Sequence, residues 1–113
     1  MIGKIVKVIV DRPLGTYHPK HKNLYYSVNY GYVPGVLGGD GEELDVYLLG
    51  VDIPVSEFTG RIVAVSHRKN DVEDKLIMIP EDVELSREEI ANGIEFQEKY
   101  YDTRLVVLGD SLF

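Results

Sequence analysis

Between residues 25 and 50 the chain carries a tyrosine-rich stretch, Tyr25-Tyr26-Ser27-Val28-Asn29-Tyr30-Gly31-Tyr32-Val33-Pro34, then a turn rich in glycine (Gly35, Gly38, Gly39, Gly41), then the apolar run Val46-Tyr47-Leu48-Leu49. This reads as strand, turn and strand, with the glycines allowing a tight, irregular connection. Three carboxylates, Asp40, Glu42 and Asp45, leave the turn and enter the second strand together, so they can converge on one point. Hard oxygen donors gathered in this way suit Mg²⁺, with Mn²⁺ as the alternative, and leave coordination positions for water and phosphate oxygens. A Ca²⁺ loop of the EF-hand type is excluded, because the ladder of ligands and its closing glutamate are missing.

The rest of the chain reads mainly as strands. Residues 2–10 are rich in Ile and Val and partly alternating, residues 24–33 are expected to be extended with an interruption at Gly31, and residues 46–49 form a short apolar strand. Further strands are expected over 60–66, 75–80 and 104–108. One helix is expected over 87–100: Ser86 is a good N-cap, Glu89 completes a capping box, and Ile90, Ile94 and Tyr101 lie near one face with Phe96 and Tyr100 beside it. Gly93 either weakens this helix or lets a strand approach it. Several short strands with one late helix predict a mainly β domain over residues 1–113, and the pattern by itself leaves barrel and sandwich open.

The motif Asn29-Tyr30-Gly31-Tyr32-Val33-Pro34, followed by Asp40-Gly41-Glu42-Glu43-Leu44-Asp45, resembles the soluble, Mg²⁺-dependent (family I) inorganic pyrophosphatases. That family carries Asn-Tyr-Gly-Tyr, a short turn, and Asp-x-Asp-Pro-x-Asp running into an apolar strand. Here Glu42 replaces the middle Asp and Glu43 replaces the Pro. The resemblance covers roughly residues 12–100 and implies a small, twisted, OB-like β-barrel with one C-terminal α-helix. It also implies hydrolysis of pyrophosphate, or of a related diphosphate, to phosphate by metal-activated water.

Carried over residue by residue, the resemblance implies Asp40, Asp45, Asp71 and Glu73 as metal ligands, and Glu42 and Asp45 as the catalytic carboxylates. It implies Arg12, Tyr26, Tyr30, Lys75 and Tyr100 as substrate-binding residues. Lys75, at the start of Lys75-Leu76-Ile77-Met78-Ile79-Pro80, corresponds to a phosphate-binding lysine. Tyr101 stands where the family has a second one, so a phosphate cation is missing at the helix end. The run Tyr17-His18-Pro19-Lys20-His21-Lys22 is a local cationic patch beside Arg12 and reads either as a solvated loop or as an anion-binding lip.

Composition narrows the partners. The net charge of −7 argues against a nucleic-acid surface, and an acidic protein that handles an anion needs a local cation, which bound metal would supply. The absence of cysteine excludes a disulfide framework and a thiol nucleophile. No apolar run is long enough to span a membrane, and the N-terminus lacks the pattern of a signal peptide, so the expectation is a cytoplasmic protein acting on a small phosphate or diphosphate. A chain this small with exposed strand edges is a candidate for homo-oligomers. Two rival readings are a non-catalytic module that keeps a metal or phosphate site, and a small barrel that binds a macromolecular partner.

Overall fold

The runs 46–49 and 76–79 are continuously apolar rather than alternating, and a strand with that pattern must be buried on both faces. The computed structural model describes residues 1–69 and 73–109 and satisfies this demand. Its elements are β1 (Ile5–Arg12), β2 (Asn29–Leu37), β3 (Glu43–Leu48), β4 (Glu57–Arg68), β5 (Asp74–Ile79), α1 (Arg87–Glu98) and β6 (Thr103–Val107). The first five strands pair in the order β1-β2-β3-β5-β4, and β4 returns to β1 to close a barrel. Only β3 and β5 run parallel among the described residues. The N-terminal part of β4 pairs with β1 and its C-terminal part with β6, so one long strand serves both the barrel and an added edge strand.

Alternation along β3 and β5 separates two packed clusters. Val46, Leu48, Leu76 and Met78 join Val8, Val10, Val33 and Ile62 in one. Tyr47, Leu49, Ile77 and Ile79 join Tyr26, Tyr30, Ile90 and Ile94 in the other, where the helix packs on the sheet. Gly93 marks the closest approach of that helix, since a Cβ there would stand 2.9 Å from a Leu49 methyl carbon. The capping box forms as the sequence predicts, with Ser86 Oγ accepting from Glu89 N–H and the Glu89 carboxylate accepting from Ser86 N–H. Ser86→Ala is expected to cost about 1 kcal/mol, seen as a fall in Tm of about 5 °C in a thermal melt.

Several expectations are corrected. Residues 24–28 are not part of a strand: β2 starts at Asn29, and Tyr25 makes only an isolated bridge to Tyr17. Gly31 does not interrupt β2. It sits inside the strand because β1 crosses so closely that a Cβ at 31 would lie 1.8 Å from the Ile9 carbonyl oxygen. Strand β3 begins earlier than expected, at Glu43, and the helix ends at Glu98, so Tyr101 lies beyond it. The buried face of its last turn is polar, formed by Gln97 and Glu98.

The motif's asparagine has a structural role. Asn29 is fully buried, and its Oδ1 accepts from the N–H groups of Leu14 and Val55 while its Nδ2 donates to the carbonyl of Ile53. It ties two loops to the start of β2.

Candidate active site

A β-bulge in β1 places the first site residue. Val10 pairs with Gly31 and Arg12 pairs with Tyr30, so Asp11 is the extra residue between them. Without the bulge, Asp11 would oppose Tyr30; with it, Arg12 does. Across the barrel, Asp45 on β3 and Lys75 on β5 are direct partners in the parallel pair. Tyr30 is paired with Tyr47, two residues beyond Asp45, and therefore shares its face.

These side chains meet at one carboxylate. Asp45 Oδ2 accepts from the Tyr30 hydroxyl at 2.9 Å and from Lys75 Nζ at 2.5 Å, and Lys75 also approaches Glu73 at 3.4 Å. Burial, reinforced by the Asp45 charge, pushes the Tyr30 pKa well up, so this hydroxyl stays protonated as a donor. Tyr26 packs its ring 5.4 Å from that of Tyr30, and burial raises its pKa as well.

The residues flank two connected hollows. A cleft of about 760 Å³ is lined by Arg12, Tyr26, Tyr30, Arg68, Lys75 and Tyr100, with the loop residues His18, Lys20, His21 and Lys22 along one side. A recess of about 180 Å³ beside it is lined by Asp40, Glu42, Glu43, Asp45, Glu73 and Asp74. Asp45, Glu73 and Lys75 belong to both, and so form the wall between a cation-lined cleft and a carboxylate-lined recess. Arg12 lines the cleft, and its Nε is buried with no hydrogen-bond partner among the described residues.

The turn carboxylates divide their work. Asp40 Oδ1 accepts the Glu42 N–H at 3.0 Å, which holds its pKa below the usual carboxylate value. Glu43, in place of the proline, accepts the Gly35 N–H at 2.7 Å and ties the turn to β2. Glu42 is exposed at the recess. His18 Nδ1 accepts the N–H groups of Lys20 and His21, while desolvation and the cations His21, Arg12 and Lys20 lower its pKa. The histidine thus shapes the cationic loop.

Of the residues implied by the sequence, Arg12, Tyr26, Tyr30, Asp45, Glu73, Lys75 and Tyr100 share the cleft, and Asp40 and Glu42 line the recess. Tyr100 stands at the rim, 69% exposed. Asp71 lies outside the described residues. Sequence reasoning missed Arg68, Gln97 and Glu98. Glu98 accepts from Tyr47 Oη at 2.6 Å, Ser66 Oγ at 3.0 Å and Arg68 Nη2 at 2.7 Å. Gln97 bridges the hydroxyls of Tyr26 and Tyr47. Charged and amide groups in the last turn of a helix otherwise read as solvent-facing, and no sequence signal marks these three.

The donor set of the recess fits a hard divalent cation: carboxylates from a turn and from the start of a neighbouring strand, with no sulfur or imidazole among them. Among the described residues no three of these groups converge as they stand. Asp45 and Glu73 are both turned onto Lys75, whose ammonium occupies the space between them.

A family model described as inorganic pyrophosphatase matches residues 4–103. The chain is 34% identical over 79 residues to an inorganic pyrophosphatase of Halobacterium salinarum, and this alignment covers 66% of the chain and 41% of that protein. Among solved structures, the fold is similar to an inorganic pyrophosphatase from Ehrlichia chaffeensis (TM-score 0.72, 18% identity, 96% of this chain and 88% of that one). It is also similar to one from Neisseria gonorrhoeae (TM-score 0.64, 22% identity, 87% and 74%). At these identities the solved structures establish the barrel and its helix.

Proposed function

The chain belongs to the inorganic pyrophosphatase family, and from that premise we propose that it hydrolyses pyrophosphate to two phosphates with the help of a divalent cation, Mg²⁺ or alternatively Mn²⁺. The observation that carries this reading is the shared wall of Asp45, Glu73 and Lys75 between the cationic cleft and the carboxylate recess. Such an arrangement supports a phosphate site directly beside a metal site.

Asp40, Asp45 and Glu73 would hold the metal, with Asp71 as a further ligand. When bound, a divalent cation neutralises phosphate oxygens and lowers the pKa of a water. Arg12, Lys75, Tyr30 and Tyr100 hold the phosphate oxygens, Arg12 through its guanidinium fork. Tyr26 completes the wall behind Tyr30. The attacking water adds to one phosphorus, the bridging P–O bond breaks, and the second phosphate leaves. Glu42 accepts the proton of that water. The substrate is a small anion in the cytoplasm, with no nucleic-acid or membrane partner, and the edge strand β6 outside the closed barrel provides for self-association. Among the described residues no helix is long and apolar enough to cross a membrane.

Phosphate release from pyrophosphate by the wild-type chain and by Glu42→Gln tests the proposal. The variant keeps the size of the side chain and loses its basicity, so kcat is expected to fall roughly 100-fold. Unchanged turnover would remove Glu42 from the proton transfer.

A further inference from the structure

The end of the helix borders the cleft with two tyrosines, Tyr100 and Tyr101, and its last turn contains no basic residue. Lys99 comes next, but its ammonium lies over the Tyr100 ring at 5.3 Å, and the residue does not line the cleft. A cation does reach this corner from elsewhere. Arg68, the last residue of β4, lines the cleft with its guanidinium carbon 3.6 Å from the centroid of the Tyr101 ring.

Taking the pyrophosphatase reading as its basis, we propose that Arg68 is a phosphate-binding residue, supplying from β4 the cation that the helix end does not. Its guanidinium is held in one orientation. Nε and Nη2 donate to the two oxygens of Glu98, at 3.4 and 2.7 Å, and Nη1 donates to Glu73 at 3.0 Å. Glu98 is itself fixed by Tyr47 and Ser66, and the Tyr101 ring covers one face of the guanidinium. Three of the five N–H groups are used in these described bonds. Among the described residues one N–H on each Nη remains, on a planar fork of the kind that binds phosphate through paired donors.

A core ion pair alone would have no need of the cleft. This one forms the wall of the cleft, in the same lining as Lys75 and Arg12, the two cations already assigned to phosphate. The three cations arrive on three different strands, so each can meet a different edge of a diphosphate. Holding the guanidinium on Glu98 in advance lowers the cost of ordering it when the anion binds.

The test measures affinity without turnover. Methylenediphosphonate, in which a CH₂ group replaces the bridging oxygen, is titrated calorimetrically with Mg²⁺ present into wild type, Glu98→Gln, Arg68→Lys and the double variant R68M/E98Q. The double variant removes both charges together and so avoids stranding a buried one. It is expected to bind roughly 10- to 100-fold more weakly than wild type, while Glu98→Gln, which breaks the same ion pair but keeps the guanidinium, retains more of the affinity. Adding Tyr101→Lys to the double variant is expected to restore binding, because it returns a cation to the same corner. If R68M/E98Q does not fold, Arg68→Lys decides, with a loss of about 10-fold expected from the missing fork. Equal binding by wild type and the Arg68 variants overturns the proposal and leaves Arg68 as a structural ion pair. Failure of the wild type itself to bind overturns instead the pyrophosphatase reading on which the proposal rests.

Discussion

Asp45→Asn is expected to lower kcat on pyrophosphate by roughly 100- to 10,000-fold while the protein remains folded. Asp45 is where the two halves of the site meet: it accepts from Tyr30 and Lys75 on the cleft side and faces the carboxylate recess on the other. Asparagine has the same shape and loses the charge. The proposed metal site would lose a ligand, and the ammonium of Lys75 loses its closest counter-ion. Lys75 still has Glu73 at 3.4 Å, and the Asp45 side chain is about one third exposed, so the cost in stability is about 1–2 kcal/mol. Circular dichroism melts and steady-state phosphate release, run on the same preparation, separate the two effects. Turnover within a few-fold of wild type would place the reaction elsewhere in the cleft.

Glu98→Gln is expected to cost about 3–5 kcal/mol, a large share of the 5–15 kcal/mol of a typical domain. The side chains of Glu98 and Arg68 are each only 4% exposed, so removing the carboxylate charge leaves a buried guanidinium with only the more exposed Glu73 as a counter-ion among the described residues. A fall in Tm on the order of 15 °C follows. R68M/E98Q, with neither charge, is expected to recover most of the loss, because the penalty comes from a buried charge left under-compensated rather than from the missing pair.

The same carboxylate sets the acid limit of the fold. Burial raises the pKa of Glu98, but the hydrogen bonds and charge of Arg68, with those of Tyr47 and Ser66, outweigh it and hold the folded value below the ordinary 4.5. A depressed carboxylate pKa contributes stability that is fully present above the unfolded value and is lost as pH falls through the folded value. Stability is therefore expected to decline below about pH 4.5, and less steeply in R68M/E98Q than in wild type. Parallel acid slopes for the two proteins would remove Glu98 as the cause.

The strands were legible in the sequence as Ile- and Val-rich runs between turns, and the helix because Ser86 and Glu89 announce its start, while the choice of barrel over sandwich came from the family resemblance and not from the pattern. The parallel pairing of β3 with β5 was not legible, since pairing partners far apart in sequence leave no local mark. Residues 24–28 show how composition misleads: tyrosines and valine there have strand propensity, yet their backbone pairs in loops, with the Tyr26 ring packed on Tyr30 and the Tyr25 ring on Tyr17. Gly31 read as a break because glycine weakens strands in general, whereas here it makes room for a crossing backbone.

The site was half visible. Tyr30, Asp45 and Lys75 stood out through motif and spacing, and the fold brings them to a single oxygen. Arg12 could be named from sequence, but the bulge that aims it at Tyr30 could not. Arg68 and Glu98 were hidden for a physical reason. A charged residue at the end of a strand or helix is most often solvated, and only the three-dimensional pairing of the two makes their burial tolerable.

If the carboxylate recess beside the cationic cleft works as proposed, diphosphate hydrolysis by this chain depends on a divalent metal. Phosphate release from pyrophosphate by the purified chain, in Mg²⁺ and again with excess chelator, tests it most directly. Release that requires the metal and disappears with chelator is the predicted result. No release across Mg²⁺ and Mn²⁺, from protein that melts cooperatively, would contradict it and leave a fold that binds phosphate or metal without the chemistry.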